Sequence, residues 1–191
     1  MPQADSGRPA QRADAASNRA RILASARELL STTDPADADT IRLNAIARRA
    51  GVGQGTLYRH FPTRDDLIAE VYRADVDELV AAARALLSEH SGLDALTRWF
   101  DRMLDYARVK RGMMAAVQSG LSRDLTGQSL GRIGEAVQLM LDAGKSDGTI
   151  RDDIDARDVI LLISYLTRLD ESEWSERARR PLDVVIAGLR R

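Results

Sequence analysis

From Asn18 onward the chain is written in helical periods. Ile22, Ala26, Leu29 and Leu30 recur on one face, and the pattern stops in STTDPADADT, whose Pro, Asp and Thr mark a loop. A second, shorter face follows in RLNAIARRAG, where Leu43, Ile46, Ala47 and Ala50 fall together. Gly51 then stands where a left-handed helix cap is needed. Only Val52 separates it from the stretch GQGTLYRHFP at Gly53–Pro62, so two short helices joined by a tight glycine turn are predicted, a helix-turn-helix. Beyond Pro62, Leu67, Val71, Asp75, Leu79, Ala83 and Leu86 lie near one line. Thr63 is a good N-cap there and Asp65 and Asp66 complement the helix start, which predicts a helix of about six turns leaving the small domain.

Further helical segments are predicted at 93–110, 112–121, 126–145, 155–169 and 174–190. Their breaks fall at HSG, KRG, RDLTG, GKSDGTIRDD and LDESE, and no strand-like alternation or tandem repeat occurs. Residues 1–17 are polar, small and proline-bearing and are expected to be disordered. The expected fold is all-α, with about nine helices. A helix-turn-helix domain spans 18–63, and a helical bundle spans 64–191, entered by the long helix.

Composition narrows the chemistry. Apolar residues make up 44% and aromatics only 4%, which favours helices filled by Leu, Ala, Val and Met over a β-sandwich. Cysteine is absent, so disulfides, thiolate nucleophiles and Cys-based metal sites are excluded. His60 and His90 are the only histidines, too few for a metal cluster or a convincing Ser-His-Asp arrangement. An enzyme is not expected, nor a cofactor or metal. There is no signal-peptide h-region and no apolar run near the ~20 residues needed to cross a bilayer, so a soluble, cytoplasmic protein without a membrane partner is expected. The net charge of −1 hides an asymmetry: residues 1–62 carry nine arginines against six acids, and the remainder is acidic. A basic front suits contact with a polyanion.

The segment Gln54–Phe61, placed on a helix, turns Leu57 and Phe61 inward and Gly55 and Arg59 outward, with Thr56 and Tyr58 flanking them. The outward face is an array of donors and acceptors around a smooth patch at Gly55. A DNA major groove admits such a helix, and Arg is the commonest partner of guanine O6 and N7. Thr56, Tyr58 and His60 can hydrogen-bond phosphates, which sets register without reading sequence. Arg48 and Arg49 also fit solvated helix charges, and Tyr58 a half-buried packing role. A phosphate loop is a poor reading of GVGQGT, because no lysine follows and no strand precedes it.

The run IARRAGVGQGTLYRHFPTRDDLIAEVY closely resembles the DNA-binding region of the TetR family of bacterial transcriptional regulators, and with the first helix the likeness covers residues 18–72. The resemblance implies base-facing positions at Gln54, Gly55, Thr56 and Arg59. It implies phosphate contacts at Tyr58, His60 and Arg64, with Asn44 a further candidate. Two positions depart from the family pattern. Arg42 opens the second helix where Thr or Ser is usual, and can touch a phosphate instead; Gly53 removes a hydroxyl before the recognition helix.

In the later segments Trp99, Phe100, Met103, Tyr106, Met113, Met114, Leu139 and Met140 are large, adaptable and apolar, and all fit a bundle core. LTRWFDRMLDYARVKRGM resembles SbtR-like C-terminal domains. By the family resemblance the equivalent helices enclose a small-molecule pocket, lined here by Trp99, Phe100, Met103, Tyr106, Met113, Met114 and Met140, with Arg102 and Asp105 as polar candidates. ARDVILLISYLTRL and PLDVVIAGLRR are apolar around more than one face and need cover on two sides. The resemblance makes them a homodimer interface through Ile163, Leu166, Leu182, Val185, Ile186 and Leu189. Pro181 should start the last helix or kink it. The expected function is a dimeric repressor that binds a palindromic operator in double-stranded DNA and is released by a small-molecule effector. The alternative is a helical ligand-binding or adaptor protein that has lost specific DNA recognition.

Overall fold

A computed structural model describes residues 7–32, 41–116 and 119–191. The helices are α1 (Gly7–Thr32), α2 (Leu43–Arg49), α3 (Gln54–His60), α4 (Arg64–Leu87), α5 (Gly92–Ala116) and α6 (Ser119–Ser146). They continue as α7 (Ala156–Ile163), extended by a 3-10 turn over Ser164–Thr167, then α8 (Glu171–Arg177) and α9 (Arg180–Leu189). Among the described residues the only β-type pairing is an isolated bridge between Ile150 and Arg190. The fold is all-α.

The small domain is closed by local chemistry. α2 ends in a Schellman motif: Gly51 at φ 62° lets its N–H reach Arg48 O at 3.2 Å while Val52 N–H reaches Ala47 O at 3.0 Å. α4 begins in a reciprocal capping box, with Asp66 N donating to Thr63 Oγ1 and Thr63 N donating to Asp66 Oδ2, each at 3.1 Å. α4 is the spine of the molecule: α1 packs on its first half, and α5 and α6 lie along it. One apolar cluster runs without interruption from Ile22 and Leu57, through Leu67 and Val71, to Trp99 and Met140. It ends on α9 with Leu182, Val185, Ile186 and Leu189.

Three expectations change. Residues 1–17 were expected to be disordered, yet α1 begins at Gly7; Arg12, Ala13, Ala15 and Ala16 are good helix formers, and Pro9 sits in the first turn, where its missing N–H costs nothing. Residues 1–6, 33–40 and 117–118 lie outside the described residues. The breaks expected at Lys110–Gly112 and Arg123–Gly127 do not occur. Tyr106, Val109 and Met113 carry a buried stripe through the first, and Leu125, Ser129, Ile133 and Val137 carry one past the second. Such burial outweighs the cost of one helical glycine, about 1 kcal/mol. The last segment is two helices, α8 and α9, and Pro181 stands in the first turn of α9, so it starts a helix.

Candidate nucleic-acid interface

α3 is held from below and left bare above. Leu57 is fully buried and Phe61 nearly so, in the same cluster as Ile22, Ile46 and Ala47. Arg19 of α1 lies over the Phe61 ring at 5.5 Å and pairs with Glu70 of α4 at 2.5 Å, clamping the end of α3 between two helices. Arg21 donates to Gly51 O at 3.1 Å, which fixes the turn against α1. Arg49 pairs with Glu28, so α2 is tied to α1 as well.

The basic front is therefore partly structural. Arg19, Arg21, Arg27 and Arg49 all have partners within the chain. Sequence reasoning missed this positioning role, because each partner lies 21 or more residues away.

Above this base the candidate residues are arrayed as the helical face requires. Gln54, Gly55 and Arg59 are exposed, Thr56 and His60 are half-buried, and Tyr58 is 46% exposed. A Cβ added to Gly55 would meet nothing within 4 Å, so packing within the chain does not demand a glycine there. Asn44 and Arg42 are exposed at the start of α2, where Arg42 makes no side-chain capping bond. Gly53 is the N-cap of α3 and likewise supplies no side-chain bond. Arg64 is half-buried, and its Nε donates to Ile41 O at 3.2 Å, joining the start of α4 to the segment before α2.

The arrangement is a short polar helix presented on a rigid three-helix support. Residues 22–71 match the family model described as bacterial regulatory proteins, tetR family. Residues 92–191, more than half of the chain, match that of the SbtR-like transcriptional regulator C-terminal domain. The chain belongs to the TetR family. A TetR transcriptional regulator of Streptomyces coelicolor is 36% identical, with 90% of this chain and 98% of that one covered at a TM-score of 0.78. A TetR regulatory protein of Mycobacterium vanbaalenii is 31% identical, with 95% and 99% covered at a TM-score of 0.71. An HTH-type transcriptional regulator of Staphylococcus aureus strain USA300 is 30% identical over 110 residues, and the match spans 57% of this chain and 58% of that protein.

In this TetR-family chain the expected pocket residues whose side chains are described are buried in the bundle, and Tyr106, with Arg102 and Asp105, also lines a depression of about 150 Å³. Trp99, Phe100, Met113 and Met140 are fully buried, and Met103 and Tyr106 nearly so, whereas Leu139 is exposed. Trp99 Nε1 donates to Leu79 O at 2.8 Å, locking α5 onto α4. The Met114 side chain lies outside the described residues. Arg102 and Asp105 are exposed. A polar chain that sequence reasoning missed crosses this core: Tyr106 OH donates to Tyr72 OH at 3.0 Å, Tyr72 OH is bonded to Ser129 Oγ, and Ser129 donates to Thr126 O. Burial and the neighbouring Tyr72 push the Tyr106 phenol far above its ordinary range.

The expected dimer residues also face inward. Ile163, Leu166, Leu182, Val185, Ile186 and Leu189 are all buried within their own chain. The helices α7 and α9 are apolar on a second side, where Leu161, Leu162 and Val184 are 57%, 53% and 68% exposed. A one-residue shift along α7 separates the two sets, which helical periodicity alone does not resolve when both faces are apolar. Among the described residues no helix is long and apolar enough to cross a membrane.

Proposed function

We propose that this chain is a dimeric DNA-binding transcriptional regulator, a repressor that reads a two-fold symmetric operator through α3 and is released by a small-molecule effector. The observation that carries this reading is the outward face of α3. Gln54, Gly55 and Arg59 stand in solvent on a helix whose other face is anchored by Leu57 and Phe61. Arg59 and Gln54 offer donors for base edges, and Tyr58, His60, Asn44 and Arg42 flank them at positions suited to phosphates. Gly55 lets the backbone approach the groove closely.

One seven-residue helix makes few base contacts, so useful specificity needs two copies reading half-sites roughly 34–36 Å apart. The unpartnered side of α7 and α9, with Leu161, Leu162 and Val184, supports pairing through these helices. Selection of bound sequences from a random duplex pool tests the proposal. The expected product is a palindromic motif that the chain shifts in a mobility assay. Failure to enrich any sequence would leave the non-DNA-binding reading in its place.

A further inference from the structure

Where α1 crosses α4 and α5, the surface opens into a groove of about 560 Å³. Ala20, Leu23 and Ala24 of α1 form one wall, and Val71, Ala74 and Val109 form the other. Asp75 of α4 lies at its floor, only 4% exposed. Arg27 Nε is 2.7 Å from Asp75 Oδ1 as an ion pair, but neither Arg27 Nε nor Asp75 Oδ2 has a hydrogen-bond partner. A smaller depression of about 150 Å³ reaches the same carboxylate from the side of Arg102 and Tyr106. Glu78 and Asp105 line both spaces and are exposed.

The other charges at the groove are drawn elsewhere. Glu28 pairs with Arg49, and the Arg108 guanidinium lies 5.6 Å from the Trp174 ring. At the base of the space lies Asp75, whose second carboxylate oxygen is buried and unsatisfied, with two further carboxylates at the rim, opposed by Arg27 and Arg102. A buried acceptor without a partner is costly, and an N–H donor bearing positive charge satisfies it best.

We propose that this groove binds a small organic ammonium or amidinium with a short apolar body, its N–H donors directed to Asp75 and its carbon skeleton against the alanines of α1 and α4. Burial already holds the Asp75 carboxyl up to about 6, so a cation beside it offsets a cost the folded chain otherwise carries. α1 belongs to the DNA-binding end, and α4 and α5 to the body, so the bound cation would set how the two ends meet. That consequence rests on the reading of the chain as an effector-controlled regulator; binding itself does not.

The test is therefore made without DNA, by calorimetry and ligand-observed NMR on the full chain. The probes are butylamine, 1,4-diaminobutane and benzamidine. Controls are butanol, which lacks the charge, and tetramethylammonium, which lacks the N–H. At least one amine or amidine is expected to bind at about 10 mM or below, more tightly than either control, and to lose roughly tenfold or more in Asp75→Asn. Ala24→Phe, which fills the groove from α1 and leaves the carboxylate in place, should abolish binding too and decides the matter if Asp75→Asn does not fold. Binding by none of the three probes, equal binding of the controls, or full binding by the folded variants would overturn the proposal.

Discussion

The face of α3 and the groove beneath α1 treat polar groups in opposite ways. On α3, Gln54 and Arg59 stand in solvent above an apolar underside, and the fold gains nothing visible from their identity. In the groove, Asp75 is buried in the middle of the apolar stripe of α4, and the fold carries a cost for its charge. On α3 the residue type is not explained by folding, and in the groove the pairing with Arg27 accounts for only one of the Asp75 oxygens. On α3 that signals a partner met from outside, whereas Asp75 signals one that must enter.

Reading an operator through α3 needs two copies of it, so the largest expected effect comes from separating them. Leu161→Asp with Val184→Asp places charges on the exposed apolar side of α7 and α9 and should weaken association by about 3–5 kcal/mol if that side is buried between copies. Sedimentation at micromolar concentration should show a parent dimer and a folded variant monomer that no longer holds the operator. Ile163→Asp should behave differently, because Ile163 is in the chain's own core: the expected result is loss of fold. A monomeric parent would remove the dimer from the proposed function.

The next effect, in the pH dependence of stability, belongs to the groove alone. Asp75 should reveal itself there rather than in DNA affinity. Its carboxyl is raised from 3.8 to about 6, first by burial, with Glu78 adding to the rise and Arg27 opposing it. Glu28 of α1 and Asp105, Arg102 and Arg108 of α5 complete the charges that line the surrounding spaces. The folded state therefore holds this proton more tightly than the unfolded chain. The stability it contributes is present at low pH and is lost as pH rises from about 4 to about 6, a fall of about 3 kcal/mol. Asp75→Asn should remove that fall and be at least as stable as the parent at neutral pH. Urea titrations across this range check it, and a variant clearly weaker at neutral pH would mean that the Arg27 contact outweighs the burial.

A somewhat smaller effect separates the two regions directly. Arg59→Ala should weaken the selected operator by roughly 1–3 kcal/mol and relax base preference at its position. Its folding stability should stay within about 0.5 kcal/mol of the parent, since Arg59 is exposed. Arg64→Ala is not its equivalent. Arg64 also bonds to Ile41 O, so a loss of DNA affinity there would mix phosphate contact with a loosened support. Mobility shifts and urea titrations on both variants would distinguish the roles, and an unchanged Arg59→Ala operator affinity would contradict the assignment of α3.

The helix-turn-helix was legible because its signals are local. Gly51 caps α2, Thr63 caps α4, and the period of Leu57 and Phe61 orients α3, all within a few residues. The arginine clamps were not, since Arg19 meets Glu70 and Arg49 meets Glu28 only once the helices have packed. In the body, Trp99, Phe100 and the methionines are equally good as core or as pocket wall, and their side chains alone do not decide between the two. Asp75 did leave a signal: it is the one charged residue on the line of Leu67, Val71, Leu79 and Ala83. An acid on an apolar stripe is either paired or functional, and here the pairing reaches only one of its oxygens.

The smallest expected change is at Gly55, where the two kinds of explanation give opposite signs. A Cβ there meets open space, the backbone is helical, and Gly51 already supplies the turn's left-handed residue. If Gly55 served folding, Gly55→Ala would cost stability. If it serves approach to DNA, the alanine should stabilise the chain by about 0.5–1 kcal/mol through helix propensity. The added methyl would then stand between α3 and the groove and weaken operator binding by a similar amount. Thermal unfolding and mobility shifts on the same preparation read both terms. A variant that is more stable and binds less well keeps Gly55 in the interface. One that is more stable and binds equally well would show that the backbone at Gly55 does not approach DNA closely, and would leave base reading to Gln54 and Arg59 without it.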